Sequence, residues 1–326
     1  MIRFPLWCLV NFVLWPLLRR GAKRFHLFKF LFVVYPGTKN NIRAYAPMWF
    51  QRIFKDILHL SIIGVMTRGE GPGRGLIVTL SGAPDTLTKK ELQEISDRIK
   101  EFGEKIGVSS IALAGRLPAL FEANDCLLIP PFIKGEKGAV FTIIETYLYL
   151  LEKTGIKLND PVGVVGVGYL GSKVTTRLGE IGCGSIIGYD IRLKRTTIRG
   201  AITRTNDPTL LAGCKMIIVL TPKGEDMAGV LSWLKEDVVI IDDTHPQIPP
   251  ALISTIILKG GTVYQSAMGI KGVRSIPRLP GFSPEWIPGC VVESLVGLDG
   301  ATQEAFDEEG RKIGLTPFLT SPRGEG

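Results

Sequence analysis

The stretch from residue 162 to 190, VGVVGVGYLGSKVTTRLGEIGCGSIIGYD, constrains the fold of this chain more than any other. A short apolar run ends on Gly166, the helix-like SKVTTRLGEIG follows, and a second apolar run ends on Asp190. Strand, tight turn, helix and strand in that order make a βαβ unit. Between the first strand and the helix stand Gly166, Val167, Gly168, Tyr169, Leu170 and Gly171, with glycine at the first, third and sixth positions. The first glycine permits the turn, the second lets the backbone approach a pyrophosphate, and the third allows close helix–strand packing.

The helix start adds backbone N–H groups and a positive dipole for phosphates. Asp190 lies 24 residues after Gly166, where an acid can hold the adenosine ribose. Thr221 and Pro222, at the end of the later run MIIVLT, complete the expected dinucleotide-binding set. Asp190 favours the free 2′-hydroxyl of NAD, whereas Arg192, Lys194 and Arg195 would neutralise the 2′-phosphate of NADP. The residues leave that choice open. They also leave open a sheet of this type that has lost its nucleotide.

Further strand-like runs follow at 216–221, 238–242 and 262–266, separated by stretches read as helical. The expected fold class is α/β: a doubly wound parallel Rossmann sheet plus a smaller amino-terminal α/β substrate domain. The expected boundaries are a basic apolar segment at 1–35, a substrate domain at 36–155, the Rossmann domain at 156–300, and a carboxy-terminal helix and tail at 301–326. In the first half, strands are expected at LSIIGVM, GLIVTLSG and SSIALA. Helices are expected over 41–58, from Thr86 or Thr88 to Ile106, and over 139–153. The glycine-rich loop 68–75 lacks the Lys-Ser/Thr ending of a phosphate loop and reads as a connection.

The charge is uneven. Residues 1–70 hold eleven Lys and Arg against Asp56 and Glu70, a net +9, while the remainder is −1. FPLWCLVNFVLWPLL, residues 4–18, is too short and too interrupted by Pro5 and Pro16 to span a bilayer. With RRGAKRFHLFKFLF behind it, the segment reads as one that lies on a membrane surface through residues 1–30. The plainer alternative makes Phe30 to Tyr35 a core strand. Nucleic acid is not expected, because no binding module accompanies the charge.

Five cysteines without CxxC pairs argue against disulfides and zinc, and three dispersed histidines supply no metal-ligand set. The expected location is a reducing cytoplasm, peripheral on the inner membrane face. Cys126, Cys183 and Cys214 lie in core-like runs. Cys290 differs, because Pro288-Gly289 precedes it and the helix-like VVESLVGL follows. A helix amino terminus can lower a thiol's pKa enough to make it nucleophilic. Taken alone, Cys290 also fits a packed core residue.

In order, EFGEKIGVSSIALAGRLPALFE, VFTIIETYLYLLEKTGI, the glycine turn, CKMIIVLTPKG, VVIIDDTHP, LKGGTVYQS, GCVVESLVGL and EEGRKIGLTPF resemble the aldehyde-forming long-chain fatty acyl-(acyl-carrier-protein) reductases. The resemblance covers about residues 85–320. It implies NADPH as cofactor, with NADH second, and a long-chain acyl thioester as substrate, carried on an acidic carrier protein. It implies that Cys290 accepts the acyl group, with Glu293 completing a Cys-x-x-Glu pattern, before reduction to an aldehyde. His245 stands where that family has a tyrosine, and is read as the proton donor to the product alkoxide. Phe141-Thr142-Ile143-Ile144-Glu145-Thr146 keeps part of the family's polar run, and the amino terminus has no counterpart.

Two other readings fit the same sequence. One is a shikimate- or amino-acid-type dehydrogenase passing hydride to a small substrate, which predicts a Lys/Asp pair in the first domain; Lys105 and Asp125 are the candidates. The other is a nucleotide-sensing protein without turnover. A homo-oligomer is compatible with each.

Overall fold

The structure, a computed structural model, describes residues 8–36, 60–67, 74–80, 87–126, 128–279, 282–298 and 300–319. The expected helix over 41–58, most of the glycine-rich loop and the terminal SPRGEG lie outside these residues. The chain divides into two compact units. One comprises residues 1–138 and 269–315, the other 139–268 and 316–326.

The first unit opens with a π-helical turn, Leu9–Leu14, running into α1, Trp15–Arg24. Its sheet contains β1 (Phe30–Val34), β2 (Leu60–Thr67), β3 (Gly75–Leu80), β4 (Ser110–Leu113) and β5 (Phe132–Ile133). Strands β3, β1, β4 and β5 run parallel in that spatial order, and β2 pairs antiparallel with β3. Phe30, Leu31 and Val33 are fully buried, as a central parallel strand requires. Within the segment 1–35, Phe30–Val34 is therefore a core strand, the plainer of the two expectations for it.

Helix α2, Lys89–Ile106, begins at a Thr88–Glu91 capping box and stops at Gly107, whose φ of 73° few other residues adopt. Its Leu92, Ile95, Ile99 and Ile106 pack with Leu31, Val78 and Ile111 of the sheet. Helix α3 follows at Leu117–Ala123.

The second unit begins within α4, Glu136–Thr154, and holds β6 (Val162–Val165), α5 (Tyr169–Glu180), β7 (Ile186–Tyr189), β8 (Thr197–Arg199), β9 (Ile202–Thr205), β10 (Met216–Val219), β11 (Val239–Asp242), α6 (Pro250–Leu258) and β12 (Thr262–Gln265). The sheet order is β12-β11-β10-β6-β7-β9-β8, parallel except for β8. After β6 the chain builds outward through β7 and β9, then returns to add β10 on the other side of β6. Ligands bind at such a reversal, outside the carboxyl ends of the strands.

This unit departs from expectation in two respects. Residues 197–205 form a β8–β9 hairpin that was not anticipated. Between β9 and β11 the connections are short 3₁₀ turns at Pro208–Gly213, Gly224–Gly229 and Leu231–Trp233, because prolines and glycines there interrupt helical bonding.

Residues 269–315 return to the first unit, where β13 (Arg274–Ile276) pairs antiparallel with the edge of β2. Helices α7 (Gly289–Val296) and α8 (Gln303–Lys312) complete it. The division falls at 138/139 rather than at 155/156. The buried face of α4, Val140, Ile143, Ile144, Tyr147 and Leu150, packs with Val162, Val164 and Ile218, and that assigns the helix to the second unit.

Candidate functional site

Each of the three glycines in the turn has a distinct physical reason. Gly166 has a φ of 95°, and a Cβ there would meet Leu220 C and O at 2.9 Å and Thr221 N at 3.0 Å. Gly171 leaves no room for a Cβ against the carbonyl of Gly166, so the first turn of α5 lies directly on the end of β6. A Cβ on Gly168 would meet only Arg192 Nη2, at 3.4 Å. The second glycine thus opens outward while the first and third are fixed by packing. That is the shape a pyrophosphate needs over a helix amino terminus. Tyr169 begins the helix, 45% exposed, with Lys173 Nζ 5.1 Å above its ring. Leu170 packs beside the core of the second unit.

Asp190 follows β7 and is buried. It accepts bonds from Arg192 backbone N at 3.0 Å and Nε at 3.1 Å through Oδ1, and from Arg192 Nη2 at 3.1 Å through Oδ2. The Val167 amide also donates to this carboxylate. Burial works to raise the Asp190 carboxyl, but the guanidinium and these amides hold it below the ordinary carboxylate range. Lys194 and Arg195 are exposed on the following turn. Thr221 and Pro222 follow β10, where Thr221 Oγ1 donates to Lys223 O at 2.8 Å. The cofactor candidates therefore gather around the carboxyl ends of β6, β7 and β10.

At the end of β11, Asp242 accepts from Thr244 N, Thr244 Oγ1 and Ile248 N at 2.6–2.9 Å and organises the loop. His245 precedes a cis proline, and burial lowers its imidazole below the usual range. It is therefore largely neutral at neutral pH. Asp243, the next residue after Asp242, behaves oppositely. Burial and the neighbouring Asp242 push its carboxyl up to about 8. At this strand end Asp243, not His245, holds a dissociable proton at pH 7. The only signal for it was a second aspartate directly after the apolar run VVII.

Cys290 is the second residue of α7, partly exposed, and belongs to the first unit rather than to the Rossmann sheet it follows in sequence. Gly135, with a φ of 71°, makes room for it: a Cβ there would meet Cys290 Cα at 2.8 Å and Cβ at 2.9 Å. Gly138 likewise allows the first turn of α4 to lie against the backbone of α7. Glu293 Oε2 accepts from Lys137 N at 2.9 Å and Gly138 N at 3.3 Å. It caps the amino terminus of α4 and ties α7 to it. Burial raises the Glu293 carboxyl despite these bonds.

The other core cysteines are structural. Burial raises the thiols of Cys126 and Cys183, and pushes Cys214 up to about 12. Thr142 and Thr146 of the polar run are fully buried. Asp125 pairs with Lys89 at 2.7 Å rather than with Lys105, which pairs with Glu101 at 2.6 Å. Among the described residues no cluster of His, Cys, Asp and Glu could hold a metal ion, and no helix is long and apolar enough to cross a membrane.

No family model matches the chain, and no curated protein matches it. Solved structures are similar to it at low identity. D-lactate dehydrogenase from Escherichia coli is 14% identical, over 72% of this chain and 82% of that one, with a TM-score of 0.34. L-tryptophan dehydrogenase from Nostoc punctiforme is 9% identical, over 88% and 79%, with a TM-score of 0.44. A D-isomer specific 2-hydroxyacid dehydrogenase from Xanthobacter autotrophicus Py2, solved with NADPH, is 20% identical, over 52% and 80%, with a TM-score of 0.30. Likeness at these levels decides nothing about substrate.

Proposed function

We propose that this protein is a nicotinamide-dependent oxidoreductase that prefers NADPH. The observation that carries the reading is the glycine turn, in which Gly166 and Gly171 are locked by packing while Gly168 opens outward beside the Arg192 guanidinium. Bound there, a reduced nicotinamide would supply a hydride. The chain's part is to cradle the pyrophosphate on Gly168 and the first amides of α5, and to meet a 2′-phosphate with Arg192, Lys194 and Arg195. The Arg192 guanidinium bound to both oxygens of Asp190 offsets its negative charge and so weakens its repulsion of a 2′-phosphate.

The substrate we infer is a long-chain acyl thioester, delivered on a carrier such as an acidic acyl carrier protein. Cys290 Sγ attacks the acyl carbonyl, the carrier thiol leaves with the proton, and the acyl group stays on the protein as a thioester; hydride addition at its carbonyl carbon and departure of the Cys290 sulfur, which takes up a proton, would then give the aldehyde and the free thiol. The partly exposed placement of Cys290 at a helix amino terminus supports this, as does the sequence resemblance. Glu293 then acts as a positioning residue, and Asp243 takes the place of His245 as the candidate proton donor.

A second reading, direct hydride transfer to a small hydroxy or amino acid, is favoured by the Lys89–Asp125 pair in the first unit. Both side chains are largely exposed, at 63% and 83%. Titration with NADPH and NADH tests the cofactor claim; no binding of either sinks it. Mass spectrometry after incubation with a long-chain acyl thioester tests the substrate claim, with an adduct expected on Cys290 and absent in Cys290→Ser. Turnover of a hydroxy or amino acid that survives Cys290→Ser and fails in Asp125→Asn would establish the second reading instead.

A further inference from the structure

We propose that the amino-terminal helical segment docks the protein on an anionic lipid surface, with Leu9, Val13 and Leu14 as its apolar contact and Lys23 and Arg24 as adjoining cations. The inference is independent of the dinucleotide reading.

Among the described side chains, Asn11, Val10, Trp15 and Ala22 anchor the segment. Asn11 is buried; its Nδ2 donates to Ile62 O at 2.9 Å and its Oδ1 accepts from Ile62 N at 2.8 Å. The paired strand β13 reaches β2 only at residues 65–67, so Asn11 takes the place of a strand partner further along that edge. Trp15 stacks on Phe102 of α2 at 5.2 Å, Ala22 is fully buried, and Val10 packs on the same core.

The π winding decides what is left outside. Bonding from i to i+5 brings residues four and five apart to one side of the helix. Leu9, Val13 and Leu14 therefore share a side, 45%, 50% and 38% exposed, while Val10 and Trp15 share the inner one. An α-helical period would scatter Leu14 from Leu9. Three aliphatic side chains held in water by a buried asparagine on the opposite face mark an interaction surface.

Its chemistry selects lipid. Lys23 and Arg24 are exposed in the last turn of α1, and the Arg24 guanidinium lies 5.8 Å over the ring of Phe25, itself 68% exposed. Cations and an aromatic flanking an aliphatic face are the pattern of a helix lying in the headgroup region. In sequence, the excess of cations also lies in this part of the chain, with +9 over residues 1–70 against −1 for the rest. An acidic protein partner would use the cations but not the aliphatic face.

The test is co-sedimentation of the full chain with phosphatidylglycerol–phosphatidylcholine vesicles and with phosphatidylcholine vesicles alone. Binding to the anionic vesicles, weakened by salt, is expected. Leu9→Asp with Val13→Asp, and separately Lys23→Glu with Arg24→Glu, should each lower partitioning by about tenfold or more. These positions are exposed, so circular dichroism and Tm should hold; if the aspartates disturb folding, Leu9→Ser with Val13→Ser replaces them. Equal binding to neutral vesicles, no binding to anionic ones, unchanged partitioning of both pairs, or capture by an acidic protein without vesicle binding would each overturn the proposal.

Discussion

Arg192 holds Asp190 at both carboxylate oxygens, Nε to Oδ1 and Nη2 to Oδ2, each at 3.1 Å. The acid that would bind the ribose of NAD is thereby converted into the seat of a cation. Arg192 is 74% exposed in its side chain and so remains available to a ligand. Replacing it with alanine removes the cation and frees Asp190. Arg192→Ala should weaken NADPH binding by roughly tenfold or more, the worth of one charge-assisted contact, while NADH binding holds or improves. Calorimetric titration of both cofactors reads this directly; parallel loss of both would remove Arg192 from cofactor choice.

The second and third glycines of the turn should separate binding from folding. Gly171→Ala pushes a methyl into the Gly166 carbonyl, and overpacking of this kind costs about 1–3 kcal/mol. A chain this long should lose roughly 2–4 °C of Tm for each kcal/mol. Gly168→Ala meets only a movable guanidinium, so its Tm should stay near the parent value while dinucleotide affinity collapses. A Gly168→Ala protein that binds as the parent does would refute the cradle.

Glu293 bridges 156 positions of sequence to reach Lys137 N. Glu293→Ala leaves two amide donors of α4 without their acceptor and should cost about 1–2 kcal/mol, as losing a helix cap does. Glu293→Gln keeps an acceptor oxygen and should recover most of that. Urea denaturation distinguishes the two; equal losses would mean that the charge, not the acceptor, matters.

Asp243 should leave a mark on the pH dependence of stability. Its carboxyl titrates near 8 in the folded protein, against roughly 4 for an unfolded aspartate. Between those values the folded state keeps a proton that the unfolded state releases, so stability falls as pH rises through the window. His245, lowered by burial, acts the other way, and its contribution is lost as pH falls through its folded value. Asp243→Asn should shrink the decline between about pH 4 and 8, the remainder coming from Asp242 and Glu293, whose carboxyls burial also raises. If parent and variant lose stability in parallel across that range, the assignment of the proton to Asp243 fails.

What the sequence by itself determined is what depends on neighbours in the chain. The spacing of Gly166, Gly168 and Gly171 placed the turn, since backbone freedom and Cβ clearance are properties of those positions. The start of α2 was legible to within Thr86 or Thr88 for the same reason, the cap being Thr88, and the apolar runs marked β6, β7, β10, β11 and β12. Prolines and glycines between β9 and β11 are the local signal for the 3₁₀ turns there.

Tertiary structure decided the rest. Cys290 follows the Rossmann strands in sequence, yet β13, α7 and α8 fold back onto the first unit, as the pairing of β13 with β2 and the contacts of α7 with residues 135–138 show. Glu293 became a helix cap, and Asn11 a substitute strand partner, through hydrogen bonds 156 and 51 residues long in sequence. Asp243 acquired its high pKa from burial, which no local pattern records. Hydrogen bonding and desolvation at these positions are summed over neighbours brought together by the fold. The same twenty or so residues of sequence around each would carry different chemistry in another one.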